Sequence, residues 1–258
     1  MGVADEDKVL VRYVGGEESV LSGLAEGADA LRGYLAAPSA RGSQHGLVLI
    51  PDVRGLYDHY RDVARRFAAE GFATLAVDLY SREGTPDLPD MDAIFRWMAE
   101  LPDRRVIADL HAARDFLSSH DTVRGGKVGV TGFCMGGQYA LMAACARWGF
   151  RACVSWYGML RYASTSEAKP ESPLDMISRL TCPYLGFFGE QDSIIPLADV
   201  AELKHGLAGA KHAVEIHTYA NAGHAFFNDS RPEMYRPTAA ADAWPRAIAF
   251  LRKHLNPR

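Results

Sequence analysis

One cysteine in this chain stands where a nucleophile would. Cys134 lies within Gly132-Phe-Cys-Met-Gly-Gly137. Before it, Lys127 to Thr131 reads as a strand; after it, Met135 to Trp148 reads as a helix. A G-x-nucleophile-x-G sequence in that setting is a sharp strand-to-helix turn that lifts the central side chain clear of a sheet. Its glycines are required because side chains at Gly132 and Gly136 would strike neighbouring backbone. The helix directs its partially positive N-terminus at Cys134, which favours an anion there. The Met135 backbone N–H points to the same spot and supplies one oxyanion donor. A glycine-rich turn holding an inert buried cysteine is the rival reading. The strand before and the helix after favour the nucleophile.

A thiol nucleophile needs a general base, and the base needs an orienting carboxylate. On scaffolds with this elbow the acid follows the nucleophile and the histidine comes last. Asp192, in Gly189-Glu-Gln-Asp192, follows a strand expected over Tyr184 to Phe188. His224, in Asn221-Ala-Gly-His224, follows one expected over Val214 to Tyr219. Both positions lie just past strand ends, where such sheets bind ligands. Glu190 is the rival acid, whereas Asp199 falls inside a helix. The other histidines sit in helices, strands or early loops. Cys145, Cys153 and Cys182 read as small core residues.

The elements that must position these groups alternate strand with helix. Strands are expected at Val9 to Val14, Ala30 to Leu35, Gly46 to Ile50, Phe72 to Val77 and Arg151 to Trp156, besides those named. Helices are expected at Asp58 to Glu70, Met91 to Glu100, Arg104 to Ser119 and Thr238 to Leu255. Ala163 to Ser172 reads as a surface loop. The alternation implies an α/β fold, a mostly parallel central sheet with helices on both faces. No linker interrupts it, so residues 1–258 are expected to form one domain.

Composition narrows the function. Hydrophobic residues make up 48% and charged residues 23%, which is ordinary for a globular chain and not for a disordered one. A net charge of −4 lacks the basic footprint of a nucleic-acid binder. No apolar run approaches the roughly 20 residues needed to span a bilayer. Cysteine spacing fits neither a zinc site nor a disulfide framework, so a reducing, cytoplasmic setting is expected. No metal-binding, dinucleotide or phosphate-loop motif is present.

Gly132-Phe-Cys-Met-Gly-Gly137, Gly189-Glu-Gln-Asp192 and Ala222-Gly-His-Ala-Phe-Phe227 together resemble the dienelactone hydrolase family. The resemblance runs from about Ala30 to Leu255, including Asp78-Leu-Tyr-Ser-Arg82. It implies an α/β-hydrolase fold and cofactor-free opening of esters or lactones by a Cys134–His224–Asp192 triad. It further implies that the N–H groups of Val53 and Met135 form the oxyanion hole. Asp52 would take the place of a family glutamate near the thiol, one methylene shorter. Arg82 matches an arginine that holds a substrate carboxylate. A second such arginine is replaced by Asn228, which argues against a chlorocatechol lactone as native substrate. Tyr57, Phe133 and Phe226 are candidate substrate contacts.

The expected partner is therefore a small-molecule ester or lactone, with no nucleic acid and no membrane, on a monomer or homodimer. Two alternatives remain open. One is a promiscuous aryl esterase or phosphotriesterase on the same triad. The other is a non-catalytic ligand binder of the same fold.

Overall fold

The computed structural model describes residues 3–11, 31–38 and 44–255. Among these residues the strand–helix alternation resolves into eight strands: β1 (Val3–Val11), β2 (Leu31–Pro38), β3 (Gln44–Ile50), β4 (Phe72–Asp78), β5 (Val123–Phe133), β6 (Cys153–Trp156), β7 (Tyr184–Gly189) and β8 (Val214–Tyr219). They join in one sheet of order β1-β2-β4-β3-β5-β6-β7-β8. The β1–β2 and β2–β4 pairs are antiparallel, and every later pair is parallel. Leu47, Val48, Leu49 and Ile50 have no exposed surface, as a strand covered on both faces requires.

Among the described residues, seven α-helices accompany the sheet: α1 (Asp58–Ala69), α2 (Met91–Glu100), α3 (Asp103–Ser119), α4 (Met135–Cys145), α5 (Pro173–Met176), α6 (Leu197–Gly206) and α7 (Pro237–Leu255). On α1, Tyr60, Val63, Ala64 and Phe67 are buried, the spacing of one helical face. At the start of α2 the Asp90 side chain accepts the Ala93 N–H at 2.8 Å, a standard N-cap. Every residue of α4 is buried, so this helix has no solvent face and shows little amphipathic pattern.

Several boundaries differ from expectation. β5 begins at Val123, four residues early, because Gln44 pairs with Val123 across an irregular register. α4 stops at Cys145 rather than Trp148, and Arg147 just beyond it has a positive φ of 62°. Residues 12–14 and 30, expected in the first two strands, lie outside the described residues.

Because β3 and β5 to β8 run parallel, their C-terminal ends emerge along one edge. The chain leaves β3 for β4 on one side, while β5 lies on the other. That reversal creates the crevice in which open α/β sheets bind ligands. Register fixes who meets whom there: Ile50 pairs with Gly132, Phe133 with Trp156, and Gly189 with Tyr219. Among the described residues, no helix is long and apolar enough to cross a membrane. None of their His, Cys, Asp and Glu side chains form a group able to hold a metal ion.

Candidate active site

Cys134 stands between β5 and α4 with φ 56° and ψ −118°. A non-glycine residue in such a conformation costs about 1–3 kcal/mol and persists only where its surroundings impose it. Here the Cys134 N–H donates to the Trp156 carbonyl at 3.0 Å, and its own carbonyl accepts the Gln138 N–H at 3.1 Å. A Cβ at Gly132 would overlap the Gly136 carbonyl, and one at Gly136 would lie 2.5 Å from the Pro51 oxygen. The turn is thus pressed against the end of β3, which brings residues 52 and 53 alongside the thiol.

Pairing of β7 with β8 brings the next two loops together. His224 Nδ1 lies 2.8 Å from Asp192 Oδ2, and both side chains are nearly inaccessible. Asp192 Oδ1 accepts the N–H groups of Ile194 and Ile195 at 2.8 and 3.2 Å. The carboxylate is therefore fixed by its own loop before it holds the ring. Burial opposes charge on His224, but Cys134 and Asp192 outweigh it, and the imidazole is raised to about 10. Nε2 is buried and makes no hydrogen bond of full geometry. Such loose contacts are common before substrate arrives. Glu190, the rival acid, instead accepts the Thr218 hydroxyl at 2.8 Å on the exposed surface.

The turn after β3 is held from several directions. Gly55 N–H donates to the Asp52 carbonyl at 3.0 Å, and Arg54 N–H to Asp52 Oδ1 at 2.8 Å. The Tyr80 hydroxyl donates to the Val53 carbonyl. Among the described residues no acceptor takes the Val53 or Met135 N–H, and both residues line one chamber with Cys134 and His224. Asp52 lines it too. Burial raises its pKa, against the pull of Arg54 N–H and the Tyr60 and Tyr57 hydroxyls.

The expected substrate contacts fare differently. Arg82 does not border the chamber; its guanidinium grips Asp109 on α3 at 2.7 and 2.8 Å, because that buried carboxylate demands a counter-charge. Phe133 and Phe226 have no exposed surface and pack in the aromatic core, Phe133 stacked on Trp156 and Phe227. Tyr57 donates to Asp52 Oδ2 at 3.2 Å and accepts from Asn228 Nδ2 at 2.8 Å. Its hydroxyl is thereby committed to the turn. Asn228, at the place of the missing arginine, is itself fully buried.

Sequence reasoning missed much of the chamber wall. Arg54 and Arg231 border it, with Met91, Ile94 and Met98 of α2. Arg231 Nε also pairs with the exposed Glu233 at 3.1 Å. Arg231 lies in an irregular stretch after β8 that has no period to read, so its place on the chamber wall could not be derived from pattern.

Strand order and the loops gathered at this edge define an α/β hydrolase. A model of the dienelactone hydrolase family matches residues 31–255, and the chain belongs to that family. A relative from Bradyrhizobium sp, provisionally named a 2-oxo-3-(5-oxofuran-2-ylidene)propanoate lactonase, is 37% identical over 222 residues, 86% of this chain and 89% of its own. A Salmonella typhimurium relative, provisionally named a carboxymethylenebutenolidase, is 35% identical over 232 residues, 88% of this chain and 84% of its own. A solved Klebsiella pneumoniae chain, provisionally named a dienelactone hydrolase, superposes with a TM-score of 0.86 at 28% identity, covering 98% of this chain and all of that one. The protein is a hydrolase of esters or lactones.

Proposed function

We propose that this hydrolase works through a thioester on Cys134, with His224 as base and Asp192 as the group that orients it. One observation carries the reading. His224 Nδ1 is held by Asp192 at 2.8 Å, while its buried Nε2 has no full partner and shares a chamber with Cys134. The raised basicity of His224 lets Nε2 hold the Cys134 proton before attack, and the sulfur then adds to the substrate carbonyl carbon. The carbonyl electron pair moves to oxygen, which rests on the Val53 and Met135 N–H groups. Collapse expels the alkoxide, which takes the proton from Nε2 and leaves an acyl-thioester. Water, giving a proton to Nε2, then attacks that thioester, and the thiol and free acid are released.

Asp52 has both carboxylate oxygens engaged, so its part is to hold the oxyanion turn. An anionic substituent on the substrate would meet Arg54 and Arg231 rather than Arg82. Acid quenching during turnover of p-nitrophenyl acetate, followed by mass spectrometry, should show an acetyl adduct on the Cys134 peptide. Cys134→Ala should lose the adduct and the activity with an unchanged melting curve. Full activity in that variant would sink the proposal.

A further inference from the structure

We infer that the acyl side of the substrate is an uncharged, extended apolar chain housed in a second cavity beside the catalytic chamber. The inference rests on the Cys134 reading above and adds the substrate class. The chamber at Cys134 encloses only about 110 Å³, below the roughly 300 Å³ at which small-molecule sites begin. Next to it lies a cavity of about 420 Å³. Phe95, Met98, Met159 and Ile194 border both. The partition is therefore built partly of unbranched methionines, which yield readily to an apolar guest.

Exposure points the same way. Met91, Phe95 and Leu197 are the large apolar side chains left exposed among the described residues. Met91 and Phe95 border the chamber, and Leu197 follows Pro196 of the second cavity's wall. Apolar surface gathered at one place marks a binding site. The charged residues of that cavity are already matched. Lys169 Nζ donates to Asp103 Oδ1 at 2.6 Å and the Tyr139 hydroxyl at 2.7 Å. Arg161 pairs with Glu202 and Asp199. The cavity thus holds no unmatched charge to receive an ion.

Direction follows from the chemistry. The leaving alkoxide takes its proton from His224, so it departs on the side of the loop that carries His224, Ala225, Arg231 and Met234. None of those four borders the second cavity. The acyl chain, on the opposite side of the reacting carbon, is the part that enters it.

The test compares p-nitrophenyl acetate with p-nitrophenyl octanoate on the wild type and on Ala99→Trp. Ala99 borders the second cavity and not the chamber. Octanoate should exceed acetate in kcat/KM by about tenfold or more, the gain from burying a few methylenes. Ala99→Trp should erase that advantage and leave acetate turnover unchanged. Octanoate no better than acetate, or an advantage that survives Ala99→Trp, would overturn the inference. If neither ester is turned over, the Cys134 reading fails instead. Calorimetric titration with decanoate then decides: binding lost in Ala99→Trp upholds the cavity assignment, and no binding to the wild type overturns it.

Discussion

Arg82 and Asp109 meet as a two-pronged ion pair, guanidinium to carboxylate at 2.7 and 2.8 Å, with the Asp109 side chain 1% exposed. Truncating one partner leaves the other's charge buried and uncompensated, at a cost of about 3–5 kcal/mol. Arg82→Ala should therefore lower stability in urea denaturation by that order while the folded enzyme keeps its KM for a small ester. A normal unfolding curve with a raised KM would place Arg82 at the substrate after all.

Asp192 holds the ring of His224, and Asp192→Asn would present the wrong tautomer. Its kcat should fall by about 10⁴, by analogy with the same exchange in serine-nucleophile triads, with circular dichroism unchanged. A loss under tenfold would mean that the carboxylate does not orient the base.

The His224 ring, facing Cys134 and Asp192, makes stability depend on pH. His224 is raised from 6.5 to about 10, so folding favours its protonated form. The contribution is fully present below 6.5 and is lost as pH rises through about 10. Melting temperature should accordingly decline across that alkaline window, and the decline should begin at lower pH in Asp192→Asn. Proton NMR of the imidazole checks the assignment directly; titration of His224 near 6.5 in the wild type would refute it.

Gly136→Ala should disrupt the elbow, because the new methyl would sit 2.5 Å from the Pro51 oxygen. The obstruction is the rigid backbone at the end of β3, so the loss should be about 3 kcal/mol. Gly209→Ala is the control, since nothing lies within 4 Å of its added Cβ; its effect should stay within about 1 kcal/mol. Equal effects in chemical denaturation would contradict the tight packing of the elbow.

Lys169 and Asp103 form a buried pair at 2.6 Å, joining the segment after β6 to the start of α3. Lys169→Met alone should cost about 3–5 kcal/mol, and adding Asp103→Leu should recover only part of that, since it removes the stranded charge but leaves the Tyr139 and Tyr162 hydroxyls without their acceptor. Thermal melts of the two variants give the comparison.

The spatial meeting of Cys134, Asp192 and His224 was legible because each follows a recognisable strand, apolar before Cys134 and Asp192 and alternating over Val214–Tyr219 before His224. Parallel strands deliver their loops to one edge whatever their order. Arg82 also follows a strand, yet position past a strand end says nothing about direction. Asp109, in the middle of a helix far along the chain, draws it away. Phe133 misled for a related reason: it flanks the elbow in sequence, but side chains alternate along a strand, and it faces the aromatic core. The wall supplied by α2 was hidden differently. Met91 to Glu100 reads as a helix, and only the fold reveals that Phe95 and Met98 stand between two cavities.

The register that sets Ile50 beside Gly132 also governs when the enzyme becomes active. The oxyanion turn, the thiol and the histidine come from strands distant in the chain, and such long-range pairings are slow to form. During synthesis, Cys134 leaves the ribosome well before His224. On the mechanism proposed above, the thiol therefore passes through the nascent chain without its base and is armed only once β8 has paired with β7. In refolding, helical signal should return before hydrolysis does, because the proposed chemistry needs several long-range pairings and not any single segment.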